Sequence, residues 1–185
     1  MNIDKNIEII TSEISNSLRQ MNINDINLLI EMIEKADKVF FIGVGRVFLS
    51  LQAMAKRLAH LNIKTYVVGQ ITEPAISAND LLIVGSGSGE TLIPVAIAKK
   101  AKSFGAKVAH IGSNPNSTMN EYSDLFVRIP VTSKANLEDE IKSKQPMTSL
   151  FEQSLLILGD VMALSIIEKD NIDIKSLWKC HANLE

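Results

Sequence analysis

The chain has 185 residues, 46% of them hydrophobic, which is enough to bury one full core, so a single domain is expected. A formal net charge of -2 removes the electrostatic case for nucleic acid, and one cysteine, Cys180, excludes an internal disulfide and fits a reducing compartment. The start, Met1-Asn2-Ile3-Asp4-Lys5, has no apolar segment behind a basic one, and no apolar run approaches the length of a membrane span, so a soluble cytoplasmic protein without membrane contact is expected.

Residues 1 to 36 read as an N-terminal helical segment ahead of the main body, 37 to 185. Ile7, Ile10, Ile14 and Leu18, then Ile26, Leu29, Ile30 and Ile33, recur at helical spacing. Two helices follow, broken at Met21-Asn22-Ile23-Asn24-Asp25, with Asn24 or Asp25 as the second N-cap. Acids outnumber bases in this segment, so it is a poor DNA-binding arm and suits packing or subunit contact.

Lys38 to Ile42 is the first strand, running into Gly43-Val44-Gly45-Arg46 and a helix from Val47 to Leu61. A dinucleotide fingerprint needs a third glycine near Leu49 or Ser50 and an acid closing the next strand; both are missing, so a Rossmann cofactor site is rejected. Arg46 stands where a bidentate contact to phosphate or carboxylate could be made, or is a solvated arginine at a helix start. His60 falls in the last turn, where an imidazolium suits the helix dipole and a catalytic role is the alternative. Lys64 to Val68 is the second strand, and Thr72 to Ala75 a turn or short helix start.

Leu81-Leu82-Ile83-Val84 is apolar at every position, as in a strand buried on both faces of a parallel sheet. It breaks into Gly85-Ser86-Gly87-Ser88-Gly89-Glu90-Thr91. Glycines allow positive φ and close approach of backbone to a ligand, and hydroxyls next to a helix N-terminus favour phosphate; a turn that merely caps the helix is the alternative. The helix from about Leu92 to Phe104 carries Pro94, so Pro94 must lie in its first turn or distort it. Lys107 to Ile111 and Leu125 to Ile129 are the fourth and fifth strands, with a helical turn at Thr118 to Tyr122 between them and His110 read as a packing residue.

Val131 to Gln145 turns polar without periodicity and reads as a mobile surface loop of the kind that covers a site. Pro146-Met147-Thr148-Ser149 then opens a dense apolar helix. Ser149-x-x-Glu152 fits a capping box, which would turn the Glu152 carboxylate back to the N-cap amide.

Strands alternating with helices predict an α/β fold, one three-layer domain with a five-stranded parallel, flavodoxin-like sheet. Ligands of such sheets lie beyond the carboxyl ends of the strands, which gathers the loops at Gly43 to Arg46 and Gly85 to Thr91 at one edge. The residues alone point to a phosphorylated small molecule.

The chain resembles the SIS (sugar isomerase) domain family, and within it the 6-phospho-3-hexuloisomerases. The match is carried by Gly43-Val44-Gly45-Arg46, His60-Leu61, Ser86-Gly87-Ser88-Gly89-Glu90-Thr91, Ser113-Asn114-Pro115, Gln145-Pro146-Met147, Leu150-Phe151-Glu152-Gln153 and the terminal His181-Ala182-Asn183-Leu184-Glu185. The resemblance implies interconversion of arabino-3-hexulose 6-phosphate and fructose 6-phosphate through a cis-enediol, a step of formaldehyde assimilation by the ribulose monophosphate pathway. It implies no redox cofactor and no metal, and a homo-oligomer, tetramer or dimer. Glu152 is then the candidate base, His181 the group that moves a proton between the substrate oxygens from a tail that could act across a subunit boundary, and His60 the reserve. Gly45, Arg46, Val47 and Ser86, Gly87, Ser88, Gly89, Glu90 and Thr91 would hold the phosphate. Relatives usually carry a serine where Val47 stands, so one hydroxyl is missing here. That departure motivates the alternatives: a non-catalytic sugar-phosphate sensor, or an isomerase of another phosphosugar.

Overall fold

The computed structural model describes residues 2–184 apart from 134–136. Helices α1 (Ile3–Arg19) and α2 (Ile23–Lys35) precede β1 (Val39–Ile42), α3 (Gly45–His60), β2 (Thr65–Val67), β3 (Leu81–Gly85), α4 (Leu92–Ser103), β4 (Lys107–Gly112), β5 (Leu125–Arg128) and α5 (Ser149–Lys169). Short 3-10 segments stand at Thr118–Glu121 and Ile174–Cys180. The five strands are all parallel in the order β2-β1-β3-β4-β5, the flavodoxin-like order expected.

The pleat sends alternate residues to opposite faces, and both faces are apolar because both are covered. Val39, Phe41, Leu81, Ile83, Ala109 and Ile111 pack against α2, α3 and α5. Phe40, Ile42, Leu82, Val84 and Val108 face α4 and Met119. Helices α1 and α2 belong to the first layer: Leu29, Ile30 and Ile33 lie in its core, and Ser17 on α1 shares a buried 2.6 Å hydrogen bond with Ser154 on α5. By length and hydropathy α5 could cross a membrane, a length the sequence reading did not give it; here it is the core helix, with Leu155, Leu158 and Met162 fully enclosed.

Three local expectations are corrected. Asn22 is the N-cap of α2, its side chain accepting from Asn24 N at 2.9 Å, because the helix starts one residue before the first of the two candidates. Thr148, not Ser149, is the N-cap of α5, and the Ser149 hydroxyl donates backwards to Pro146 O, so Glu152 is not spent in a capping box. The described part of the Val131 to Gln145 loop is tethered rather than loose. Glu140 is buried and accepts from Ser133 N and Oγ and from Leu137 N, while Arg128 pairs with Asp139. Glu13 on α1 accepts from Ser143 Oγ, Lys144 N and Gln145 Nε2, which fixes the approach to α5. Pro94 is the third residue of α4, inside the first turn where its missing N–H costs nothing.

Candidate active site

The order of the strands reverses between β1 and β3, and a crevice opens beyond their carboxyl ends. A cavity of 210 Å³ sits there, walled by residues 44–47 after β1, by residues 85–88 and Thr91 after β3, and by Thr148, Phe151 and Glu152 at the start of α5. The N-termini of α3, α4 and α5 therefore meet at one place. Their N-caps are Val44, Thr91 and Thr148, and none makes a side-chain capping hydrogen bond. Neither α3 nor α4 has an acid in its first turn. Unsatisfied amides and the positive ends of the helix dipoles thus converge on a space large enough for a small anion.

The loop after β3 is built to present its amides. Each carbonyl from Ser86 to Gly89 accepts from the segment that follows β4's start. Ser86 O bonds His110 Nε2 at 2.9 Å. Gly87 O accepts from Ser113 N and Asn114 N, Ser88 O from Asn114 Nδ2, and Gly89 O from Met119 N. With the carbonyls held on that side, the amides of Gly87 and Ser88 have no protein acceptor among the described residues, and both residues line the cavity. Gly89 has a φ of +67°, and a β-carbon on it would stand 2.1 Å from Ser117 Oγ, so the loop closes on the neighbouring segment only with glycine there.

The charged side chains complete the site. Arg46, in the first turn of α3, donates from Nε to Glu152 Oε2, and Thr148 Oγ1 donates to Glu152 Oε1 at 3.0 Å. Ser50 Oγ donates to the Glu152 carbonyl at 2.8 Å, tying α3 to α5 at this level. Glu152 is buried while the Arg46 side chain is 65% exposed, so the guanidinium can turn towards an incoming anion and the carboxylate cannot leave. Val47 is packed over Gly85, its Cγ1 2.9 Å from where a β-carbon on that glycine would lie, and adds no polar atom.

The structure gathers most of the expected residues and separates others. Gly45, Arg46, Val47, Ser86, Gly87, Ser88, Thr91 and Glu152 all line the one cavity. Gly45 has a φ of +58°, the left-handed conformation that turns the chain into α3. Glu90 is turned away: its two oxygens accept from Thr118 N and Oγ1, each at 2.8 Å, and these bonds hold its carboxyl below the usual carboxylate range. Glu90 is a clasp between loop and 3-10 turn, and Gly89 is buried beneath. His60 ends α3 at the opposite pole and stacks on His181, ring centroids 5.5 Å apart, in a separate 570 Å³ pocket with Trp178. The fourteen-residue step along α3 from Arg46 to His60 sets His60 about 21 Å from the Arg46 level of the cavity within one chain.

Sequence reasoning missed Thr148, Phe151 and Ser50 as parts of the site, and His110 beneath it. The signal for Thr148 was present in the Thr-Ser pair before the helix, with the cap assigned one residue late. His110 carried no signal beyond being a polar residue in an apolar strand.

Comparison with known proteins accords with this geometry. Residues 32–157 match the family model described as SIS domain. The chain is 37% identical over 176 residues, 95% of either chain, to a Bacillus subtilis protein named 3-hexulose-6-phosphate isomerase. It is 36% identical to a protein of the same name from Mycobacterium gastri, covering 99% of this chain and 92% of that one. A Methanococcus jannaschii crystal structure, described as inferring a function of 3-hexulose-6-phosphate isomerase, superimposes with a TM-score of 0.84 at 33% identity over 98% of this chain and 99% of that one. A cavity formed by uncapped helix N-termini at the β1/β3 switch point, and these matches over nearly its whole length, place the chain in the SIS domain family.

Proposed function

We propose that the chain is an isomerase interconverting arabino-3-hexulose 6-phosphate and fructose 6-phosphate, a reading supported by its relatives named 3-hexulose-6-phosphate isomerase. The observation that carries this reading is that Glu152, a buried carboxylate, shares one cavity with the amides of Gly87 and Ser88 and with Arg46. The amides and the Ser86, Ser88 and Thr91 hydroxyls take the phosphate, and Arg46 turns from Glu152 to the anion, which frees the carboxylate as it binds. Glu152 then removes the proton from C2 of the 3-ketose. The electron pair forms the C2–C3 double bond of the cis-enediol while the C3 carbonyl oxygen gains a proton. Return of the proton to C3 on the same face, with loss of the proton from O2, gives the C2 ketone of fructose 6-phosphate.

His181 and His60 enter this reading only from a second copy of the chain, because their pocket lies at the far pole of their own subunit. Exposed Leu49 on α3 and Leu156, Val161 and Leu164 on α5 favour such a homo-oligomer, dimer or tetramer. A cytoplasmic location, in keeping with the single cysteine, belongs to the same reading.

The test is Glu152→Gln with fructose 6-phosphate in deuterated water. The wild-type chain should incorporate deuterium at carbon and produce the 3-hexulose phosphate; the variant should bind fructose 6-phosphate yet do neither. Binding without any carbon exchange by the wild type would favour a sugar-phosphate sensor, the reading that Val47 motivates.

A further inference from the structure

We infer that His110 is the positioning residue of the phosphate loop: from β4 it grips the Ser86 carbonyl and so aims the Gly87 amide into the cavity. The inference rests on the phosphate-binding half of the proposed function and not on its chemistry. His110 pairs in register with Val84, two residues before the loop begins, and its side chain is fully buried against the Phe126 ring at 5.0 Å. A carbonyl oxygen only accepts, so the 2.9 Å contact to Ser86 O puts a proton on Nε2. The far side of the ring is also fixed. There the Asn120 side-chain amide lies 2.8 Å from His110 Nδ1 and also reaches Pro115 O at 2.5 Å. One imidazole thus spans from the loop after β3 to the 3-10 turn after β4.

The peptide plane transmits this grip. In a trans peptide the C=O and the following N–H point in opposite directions, so holding Ser86 O on the β4 side directs Gly87 N–H the other way. Gly87 lines the cavity on that other side, and its amide has no protein acceptor among the described residues. The neighbouring strand residue makes room for the ring. A β-carbon at Gly112 would lie 2.4 Å from His110 Nε2 and 2.7 Å from Ser86 O, so glycine at the end of β4 is the condition for an imidazole under the loop. Pre-orienting an amide lowers the ordering cost when the anion arrives, and an effect of this kind falls on substrate affinity before it falls on the chemical step.

The experiment compares His110→Leu, His110→Asn and His110→Gln with the wild-type chain, by calorimetric titration with fructose 6-phosphate and with inorganic phosphate, and by steady-state kinetics. Glutamine places an amide donor near the Nε2 position, whereas asparagine reaches only the Nδ1 position. Leucine and asparagine should weaken both ligands and raise KM about tenfold with kcat within about twofold, and glutamine should restore most of the loss. Gly112→Ala should behave as leucine does. Wild-type phosphate affinity in a folded asparagine variant, glutamine no better than asparagine, or a loss confined to kcat would each overturn the inference. The asparagine and glutamine pair decides the matter even where leucine does not fold. A wild-type chain that binds phosphate without isomerising sugar would sink the proposed reaction and leave the affinity comparison standing. One that binds no phosphate would overturn both.

Discussion

Arg46 and Glu152 are 106 residues apart in the chain and form an ion pair across the mouth of the cavity. The pair is asymmetric, since the arginine side chain is mostly in solvent and the carboxylate is enclosed by α3 and α5. Arg46 can therefore be drawn to an anion at modest cost, because a solvated ion pair holds its partners weakly. Removing it should weaken phosphate binding and leave Glu152 in place, held by Thr148. Arg46→Ala is expected to raise KM for fructose 6-phosphate by about ten- to a hundredfold, the loss of one hydrogen-bonded charge. Arg46→Lys should recover only part of it, because lysine keeps the charge but not the fork. Steady-state kinetics on the two variants check both statements.

Val47 lines the cavity wall and, in the proposed reading, offers the phosphate methyl groups instead of a hydroxyl. Val47→Ser should lower KM several-fold by supplying that donor. The same change removes methyls packed on Gly85 and should cost about 1 kcal/mol of stability. Urea unfolding and KM measured together would show affinity and stability moving in opposite directions.

Placement of His60 and His181 at the far pole of their own chain makes a complementation test decisive for a shared site. Glu152→Gln and His181→Ala, each inactive alone, should regain part of the wild-type turnover when co-expressed, because mixed oligomers contain some sites with both groups intact. No recovery in oligomers shown to be mixed would confine catalysis to one chain and remove His181 from it.

Stability should fall in acid in two stages. Burial holds the His110 pKa below its ordinary value of 6.5, against the pull of its bonds to Asn120 and Ser86. The unfolded chain then binds a proton that the native state refuses, so stability declines as pH drops below about 6.5. Glu13 and Asp124 have pKa values lowered below the ordinary 4.5 and 3.8. Burial opposes the shift in each, and is outweighed by bonds from Lys144, Ser143 and Gln145 in the one and from Lys102, Val108 and Lys107 in the other. Their contribution is complete above the unfolded values and is lost as pH falls through the lower native ones. Thermal melts from pH 8 to pH 3 should show both stages, and His110→Gln should flatten the first without moving the second.

The strands and the glycine- and serine-rich loop after β3 were legible because each is written in contiguous residues, and the parallel sheet followed from the alternation of strands with helices. Leu81 to Val84 must be buried on both faces, and glycines alternating with serines can do little else at a strand-to-helix turn. Asn22 and Thr148 were misjudged by one or two residues because several capping residues stand side by side, and only the backbone decides which one faces the amides. The tether of the Val131 to Gln145 loop was invisible for a different reason: Glu13, its main acceptor, lies 130 residues away.

The sequence by itself determined an α/β sheet, a glycine- and serine-rich loop after its third strand and a carboxylate at the head of the last helix, since periodicity and glycine placement are local properties. Only the tertiary structure decided that three uncapped helix ends share one cavity, that Glu152 faces Arg46 instead of its own backbone, and that Glu90 is a clasp. It also decided that His110, read from the sequence as a packing residue, bonds the Ser86 carbonyl from beneath the loop after β3. These are long-range contacts, fixed by strand order and helix packing, which no stretch of the chain encodes alone.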